Sequence, residues 1–468
     1  MQDKENRAEP LKPLFEPRAV AVIGASSKKT KIGHQVLRNI IEGQFAGPIY
    51  PINPNEETIL GLQVYNSILD VPSVVDACII AVPPIIVPQV LMECGSKSVK
   101  GAVIISAGFS EIGNLELEKQ VVESASKSGI RVIGPNCAGI INTENELYAT
   151  IESRIAPGSI AFITQSGALG GAALAWARQE KIGFSKFVSY GNRCDVDEAD
   201  LLDYLMEDQQ TKVIAAYIEG LRNGRRFVET AKRVSVRKPI LAIKSGYSSE
   251  GMRATLSHTG AMAGSDKVYD GAFRQSGIIR AEDIEDLFDM AKVLSMQPPS
   301  SGDRTVVVTN SGGPGVMMVD ALAKLGLEVP EPSTEVKDKL SFLPEICSRK
   351  NPIDVTAQGD PEQYNKVLQI AQDSDDFDTL IALFVPPAYV KSESVSEVVL
   401  EVSRAGSKPI VACWMSGDLV TEGVNILESG GVPNFPTPAR TAKAVWALLQ
   451  RGRYLAQQHG LTSGEQAE

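Results

Sequence analysis

Histidine is scarce in this chain: three among 468 residues, His34, His258 and His459. The six cysteines, at 78, 94, 137, 194, 347 and 413, are scattered and form no CxxC pair. With no HExxH and no His/Cys cluster, a protein-bound metal centre is not expected. Most cysteines lie in apolar runs such as Asp76-Ala-Cys78-Ile-Ile80 and Ile410-Val-Ala-Cys413-Trp414, as small buried hydrophobes of a reducing compartment. No apolar run approaches the roughly 20 residues that span a bilayer. Met1–Pro10 is charged and lacks the apolar core of a secretion signal. The expected location is the cytoplasm, with no membrane partner. Basic residues are outnumbered, 46 Lys and Arg against 57 Asp and Glu, a formal net charge of −11. That balance lacks the basic face on which nucleic-acid binding normally depends, yet local loops can still bind small anions. The two common nucleotide fingerprints, GxGxxG and GxxxxGK[ST], are also missing.

Short runs of Val, Ile and Ala alternate with amphipathic stretches almost throughout, the pattern of an α/β protein with parallel sheets buried on both faces. Three blocks emerge. Residues 1–147 hold five strands, from Arg18-Ala-Val-Ala-Val-Ile23 to Arg131-Val-Ile133, and predict a doubly wound, Rossmann-like domain. Residues 148–296 hold strands at Ser159–Ile163, Lys186–Tyr190, Lys212–Ile218 and Pro239–Lys244, which predict a flavodoxin-like domain. The linker Met296-Gln-Pro-Pro-Ser-Ser-Gly-Asp303 precedes a third block, 304–455, with strands at Arg304–Thr309, Thr379–Val385 and Pro409–Cys413. Residues 456–468 are expected to form a polar tail.

The chemistry-bearing residues lie mainly where strands end. Gly24-Ala-Ser-Ser-Lys-Lys-Thr-Lys-Ile-Gly33 joins the first strand to a helix, where free backbone amides bind anions. A structural turn would also need the glycine, but Lys28, Lys29 and Lys31 favour a ligand with several phosphates. A dinucleotide fold would end its second strand in an acid; here it ends in Asn53-Pro54-Asn55, which argues against NAD. Ser106-Ala-Gly-Phe-Ser-Glu111 and Gly134-Pro-Asn-Cys-Ala-Gly139 follow later strands, either as ligand loops or as plain tight turns. Thr164-Gln-Ser-Gly167 and Thr309-Asn-Ser-Gly-Gly-Pro-Gly315 look alike, each a strand end leading into a helix whose amides could meet a phosphate. His258 lies in a long stretch, Ser245–Gly264, with four Gly and seven Ser, Thr or Tyr, unlike a core position. Tyr217-Ile-Glu219-Gly220 ends a strand of the same block. Glu219 is either a helix cap or a carboxylate that fixes an imidazole tautomer.

Together these pieces resemble the NDP-forming acyl-CoA synthetases, relatives of succinyl-CoA synthetase, and within them the α subunit of the ADP-forming acetyl-CoA synthetases. The motifs occur in the family's order over about residues 10–455: Val22-Ile-Gly-Ala-Ser26, Asn53-Pro-Asn55, Gly134-Pro-Asn-Cys137, Thr164-Gln-Ser-Gly167, Ile218-Glu-Gly220, Ser257-His-Thr-Gly-Ala-Met-Ala-Gly264 and Asn310-Ser-Gly-Gly-Pro-Gly315. The resemblance implies a Rossmann-like CoA-binding domain followed by two flavodoxin-like domains. It implies the reversible reaction acyl-CoA + ADP + phosphate ⇌ acid + CoA + ATP, passing through an acyl phosphate and a phosphohistidine. It makes His258 and Glu219 catalytic, places phosphate at Ser166, Gly167, Gly312 and Gly313, and lines the CoA cleft with Gly24, Ser26, Lys31, Asn53, Val82 and Ser106. The family's ATP-grasp domain has no counterpart in the chain. A β subunit carrying it is therefore implied, in an α₂β₂ assembly, with ADP or ATP and Mg²⁺ mainly on that partner. Competing expectations are a non-catalytic CoA-binding scaffold of the same fold, an NAD-dependent oxidoreductase and an acyl-CoA transferase without a phosphoryl step. The acyl group itself, acetyl, branched-chain or aryl, is left open.

Overall fold

Strands that are apolar over their whole length must be covered on both faces, and each of the three larger sheets here has interior strands buried throughout. The structure is a computed structural model that describes residues 9–464 except 249, 252 and 254–264. The chain folds as two compact units, Met1–Arg280 and Ala281–Glu468.

The first unit begins with a one-turn helix, α1 (Lys12–Phe15), and then builds two sheets. The first sheet comprises β1 (Val20–Ile23), β2 (Ile49–Ile52), β5 (Ala77–Ile80), β6 (Gly101–Ile104) and β7 (Arg131–Ile133). Its order is β2-β1-β5-β6-β7, parallel throughout. A small hairpin, β3 (Thr58–Ile59) and β4 (Leu62–Gln63), stands apart. The helices are α2 (Ile32–Glu42), α3 (Val87–Ser96) and α4 (Leu115–Ser128). Val36, Leu37 and Ile40 form the buried face of α2 at helical spacing, packed with Val20 and Val22.

The second sheet contains β8 (Gly139–Asn142), β9 (Leu147–Thr150), β10 (Pro157–Thr164), β11 (Phe184–Ser189), β12 (Val213–Ile218), β13 (Ile240–Lys244) and β14 (Ile278–Arg280). Helices α5 (Gly167–Gln179), α6 (Glu198–Glu207), α7 (Gly224–Arg237) and α8 (Asp266–Ser276) accompany it. Its order is β14-β13-β12-β10-β11-β8-β9; only β8 and β9 run antiparallel to their neighbours.

The second unit has α9 (Ile284–Met296), β15 (Thr305–Thr309), α10 (Gly312–Lys324), α11 (Thr334–Lys339), β16 (Ile353–Asp354), α12 (Pro361–Asp373), β17 (Thr379–Phe384), α13 (Ser392–Ala405), β18 (Ile410–Trp414), α14 (Thr421–Ser429) and α15 (Pro438–Gly464). The parallel sheet has the order β16-β15-β17-β18. The α/β class with parallel-sheet domains matches the expectation from the sequence.

Three boundaries are drawn differently by the packing. Residues 139–150, mostly placed in the first block, pair into the second sheet through β8 and β11. Helix α9, expected in the second block, belongs to the second unit. There its Asp286 and Asp289 pair with Lys443 at 2.7 Å and Arg440 at 2.6 Å on α15. That last helix continues to Gly464, past the expected boundary at 455.

Candidate active site

In an open parallel sheet the loops beyond the strand carboxyl ends diverge where the order reverses, and ligands settle in that crevice. The first sheet reverses beside β1, the second beside β10 and the third beside β15. A depression of about 530 Å³ lined by Arg18, Phe45 and Glu144 lies instead at the amino ends of β1 and β2.

At the first reversal, Gly24 follows β1 with φ +89°; a Cβ there would lie 2.3 Å from the Ala81 carbonyl oxygen and 2.9 Å from Val82 Cγ1. This close approach explains the glycine and joins the β1 and β5 loops. Asn53 Nδ2 donates to the Ala25 carbonyl at 2.7 Å, and Asn53 Oδ1 accepts the Asn55 amide at 2.9 Å. Ser106 Oγ accepts from the Val82 amide at 3.1 Å and donates to the Val82 carbonyl at 2.6 Å. Gly24, Ser26, Asn53, Val82 and Ser106 thus meet at one sheet end. Lys31 ends the same loop as the N-cap of α2, with no side-chain capping bond and its side chain exposed. His34 is buried and its Nδ1 donates to the Ser26 carbonyl at 2.8 Å, holding the loop from behind. Glu56 was not anticipated: its carboxylate accepts the Ser27 amide at 3.0 Å and Ser26 Oγ at 3.3 Å. The Ser27 amide holds its carboxyl below the usual carboxylate value.

At the second reversal, Ser166 caps α5, accepting the Leu169 amide at 3.3 Å, and Gly167 is the first helical residue. Thr164 Oγ1 accepts the Ser166 amide at 3.1 Å and donates to its carbonyl at 2.9 Å, which folds the loop tightly. Glu219 stands half-buried at the end of β12, and its charge acts on Tyr190, Tyr217 and Lys244. Lys244 Nζ sits 4.7 Å over the Tyr269 ring, and burial pulls its ammonium below the ordinary lysine value. The Gln165 side chain, silent in the sequence, joins these two loops through the Glu219 and Gly220 amides. His258 lies outside the described residues.

Both reversals of the first unit share one stretch of backbone. The Asn136 amide donates to the Ser106 carbonyl at 2.9 Å, and the Ala138 amide to Ser189 Oγ at 2.9 Å. A Cβ on Gly167 would lie 3.3 Å from that of Ala138. The turn after β7 therefore connects Ser106 to the Ser166-Gly167 loop. Its Cys137 donates to the Ile104 carbonyl at 3.3 Å, and burial pushes the thiol up to about 12, far from thiolate at neutral pH.

In the second unit, Gly312 and Gly313 open α10 behind Ser311. Thr309 Oγ1 again accepts the serine amide, at 3.0 Å, and donates to its carbonyl, at 3.1 Å. Asn310 takes the place of Gln165 and pairs with both the amide and the carbonyl of Val385, at 3.0 and 2.8 Å, at the end of β17. A Cβ on Gly312 would lie 3.4 Å from Asp354 Oδ2, so a carboxylate flanks this loop. Among the described residues no group of three or more His, Cys, Asp or Glu side chains is placed to hold a metal.

Three family models match in succession: a CoA binding domain over residues 18–143, a succinyl-CoA ligase like flavodoxin domain over 157–294, and a ligase-CoA domain over 305–459. The subunit alpha of acetate–CoA ligase [ADP-forming] II from Pyrococcus furiosus is 43% identical over 94% of this chain and 97% of its own length. Acetate–CoA ligase [ADP-forming] I from Archaeoglobus fulgidus is 42% identical over 94% of this chain but only 63% of its own. A solved structure of the dinucleotide forming acetyl-coenzyme A synthetase 1 of Ca. Korarchaeum cryptofilum, in complex with phosphate and ADP, superposes with a TM-score of 0.90 at 40% identity, covering 96% of this chain and 98% of that one.

Proposed function

Because this chain belongs to the family of the ADP-forming acetate–CoA ligase α subunits, we propose that it is the CoA- and phosphate-handling subunit of such an enzyme, interconverting acyl-CoA, ADP and phosphate with the free acid, CoA and ATP. One observation carries this: identity of 43% over 94% of the chain to a protein named as that subunit. Gly24, Ser26, Lys31, Asn53, Val82 and Ser106 are proposed to line the CoA cleft, and Ser166, Gly167, Gly312 and Gly313 to bind phosphate through helix-start amides.

A phosphate oxygen attacks the thioester carbonyl; the C–S bond breaks, and CoA leaves as a thiolate that takes up a proton. One nitrogen of His258 then attacks phosphorus of the acyl phosphate, the P–O bond to the acyl group breaks, and the carboxylate leaves. Glu219 accepts a hydrogen bond from the other imidazole nitrogen and so keeps the attacking one nucleophilic. A terminal phosphate oxygen of ADP finally attacks phosphorus, the P–N bond breaks, and His258 is regenerated with ATP.

The Pyrococcus relative is named subunit alpha, which implies a partner subunit. We propose that this partner is a β subunit with the ATP-grasp domain and the nucleotide's Mg²⁺, joined in α₂β₂. The longer archaeal relative, of which this chain matches 63%, supports a further part to the machine. A cytoplasmic location is proposed as well; no described helix is long and apolar enough to cross a membrane.

The test is incubation with acetyl-CoA and labelled phosphate in the absence of ADP. The expected result is an acid-labile, base-stable label on this chain that is lost in His258→Ala. Label persisting on His258→Ala overturns the carrier role; no label on the native chain with any acyl-CoA of a panel overturns the enzyme reading. A larger thermal shift with NADH than with CoA overturns the CoA cleft.

A further inference from the structure

Among the motif residues to which the roles above assign nothing is Gln165, between Thr164 and Ser166. The residue is 8% exposed, and its carboxamide is fully engaged. Oε1 accepts the Glu219 amide at 2.5 Å and the Gly220 amide at 3.1 Å; Nε2 donates to the Gly220 carbonyl at 2.7 Å and to Glu198 Oε1 at 2.5 Å. A primary carboxamide has two acceptor positions and two donors, and all four are engaged. Glu198, 2% exposed, receives Arg193 Nη1 at 2.5 Å, and the same guanidinium reaches the Gly220 carbonyl.

A carboxylate could not replace this amide, having no hydrogen to give Gly220 or Glu198. Close by, the Tyr190 hydroxyl is fully buried and lacks a hydrogen-bond partner among the described residues, within the field of Glu198, Arg193 and Glu219. An orphaned buried hydroxyl is uncommon in inert packing. The second unit repeats the arrangement with Asn310 clasping Val385. An amide at this loop position therefore recurs as a clamp on the adjacent strand end.

We propose that Gln165 is a positioning residue for phosphoryl transfer: with Glu198 and Arg193 behind it, its amide fixes the Glu219–Gly220 backbone and thereby the aim of the Glu219 carboxylate. This rests on the role given to Glu219 above.

The assembled enzyme, with acetyl-CoA and labelled phosphate but no ADP, reports the rate of His258 labelling separately from acyl phosphate formation. Gln165→Glu sets two carboxylates against each other and should slow labelling about 10–100-fold, the usual scale of a misplaced group, while the KM for acetyl-CoA stays unchanged. Adding Glu198→Gln supplies a donor to the new carboxylate and should recover most of the loss. In a Glu219→Ala background, Gln165→Glu should change labelling by less than about twofold, as expected when one residue acts through the other. If Gln165→Glu does not fold, Gln165→Asn serves, since Asn310 shows that an asparagine suits this loop; it should slow labelling in the same direction.

If Glu219→Ala slows labelling and neither Gln165 variant does, the proposal falls and the Glu219 role stands. If Gln165→Glu is equally damaging with Glu219 absent, Gln165 acts by another route and the proposal also falls. If Glu219→Ala labels at the native rate, the underlying role of Glu219 is what fails.

Discussion

Gly33 lies in the first turn of α2 with its α-carbon against the preceding loop; a Cβ there would lie 1.9 Å from the Gly24 carbonyl oxygen and 3.1 Å from the Ala25 α-carbon. Gly271, within α8, has nothing within 4 Å of its virtual Cβ. Helix propensity alone favours alanine over glycine by about 1 kcal/mol at both sites. At Gly271 that gain should appear nearly whole. At Gly33 the backbones must part by at least about 1.1 Å to reach even a tight contact, and overpacking of this kind costs about 1–3 kcal/mol. The net expectation for Gly33→Ala is a loss of up to about 2 kcal/mol, opposite in sign to Gly271→Ala. The displaced loop also holds the Asn53–Ala25 and Glu56–Ser27 bonds. CoA affinity should therefore drop about tenfold, or 1.4 kcal/mol, in Gly33→Ala and not change in Gly271→Ala. Urea unfolding measures the first effect and titration calorimetry with CoA the second. If Gly33→Ala proves as stabilising as Gly271→Ala, with native CoA affinity, the close approach of helix and loop is not what requires glycine.

Cys137 should be silent as a nucleophile: Cys137→Ser is expected to keep most turnover, and iodoacetamide at pH 8 should leave Cys137 unmodified in the folded protein, because its thiol is pushed up to about 12 by burial. Complete loss of activity with the fold intact would reverse that assignment. Asp76 accepts from the Arg18 amide at 2.8 Å, from Nε at 3.0 Å and from Nη2 at 2.8 Å, and the Arg18 side chain holds its carboxyl below the ordinary value. A carboxyl lowered on folding contributes stability that is full above its unfolded pKa and fades as pH falls through the folded one. Asp76→Asn should lower the unfolding free energy measured in urea at pH 7 by about 1 kcal/mol, and the gap should narrow steadily below pH 4; a gap that stays constant to pH 2.5 refutes the ion-pair account.

The strands that sequence revealed were those built round an apolar run, such as Val20–Ile23, Thr305–Thr309 and Thr379–Phe384, because burial on both faces writes itself into composition. Strands defined by pairing rather than composition were missed. β16 has only two residues, and β8 with β9 encloses the polar turn Thr143-Glu-Asn-Glu146. The glycine loops and Glu219 were legible because strand ends followed by Gly or Ser are local signals. Gln165, Glu198 and Glu56 were not, for their roles depend on partners 54, 33 and 29 residues away. Such pairings leave no periodicity to read. Glu198, next to the capping residue Asp197, even has an ordinary local explanation as first-turn charge.

The hairpin of β8 and β9 bears on how the chain is made. Asn142, the last residue of β8, and Asn145 in the turn both donate to the Phe15 carbonyl, at 2.8 and 2.9 Å, and so hold the end of α1. The hairpin's free edge waits for β11, Phe184–Ser189. During synthesis at about 5–20 residues per second, the hairpin stands for a few seconds with an unpaired edge before its partner emerges. A nascent chain stalled, or a fragment cut, at Leu147 exposes β8 (Gly139–Asn142), in which Ile140 and Ile141 are fully buried in the complete protein. Such a fragment presents a ready template for edge-to-edge aggregation. One that ends after Ser189 closes it.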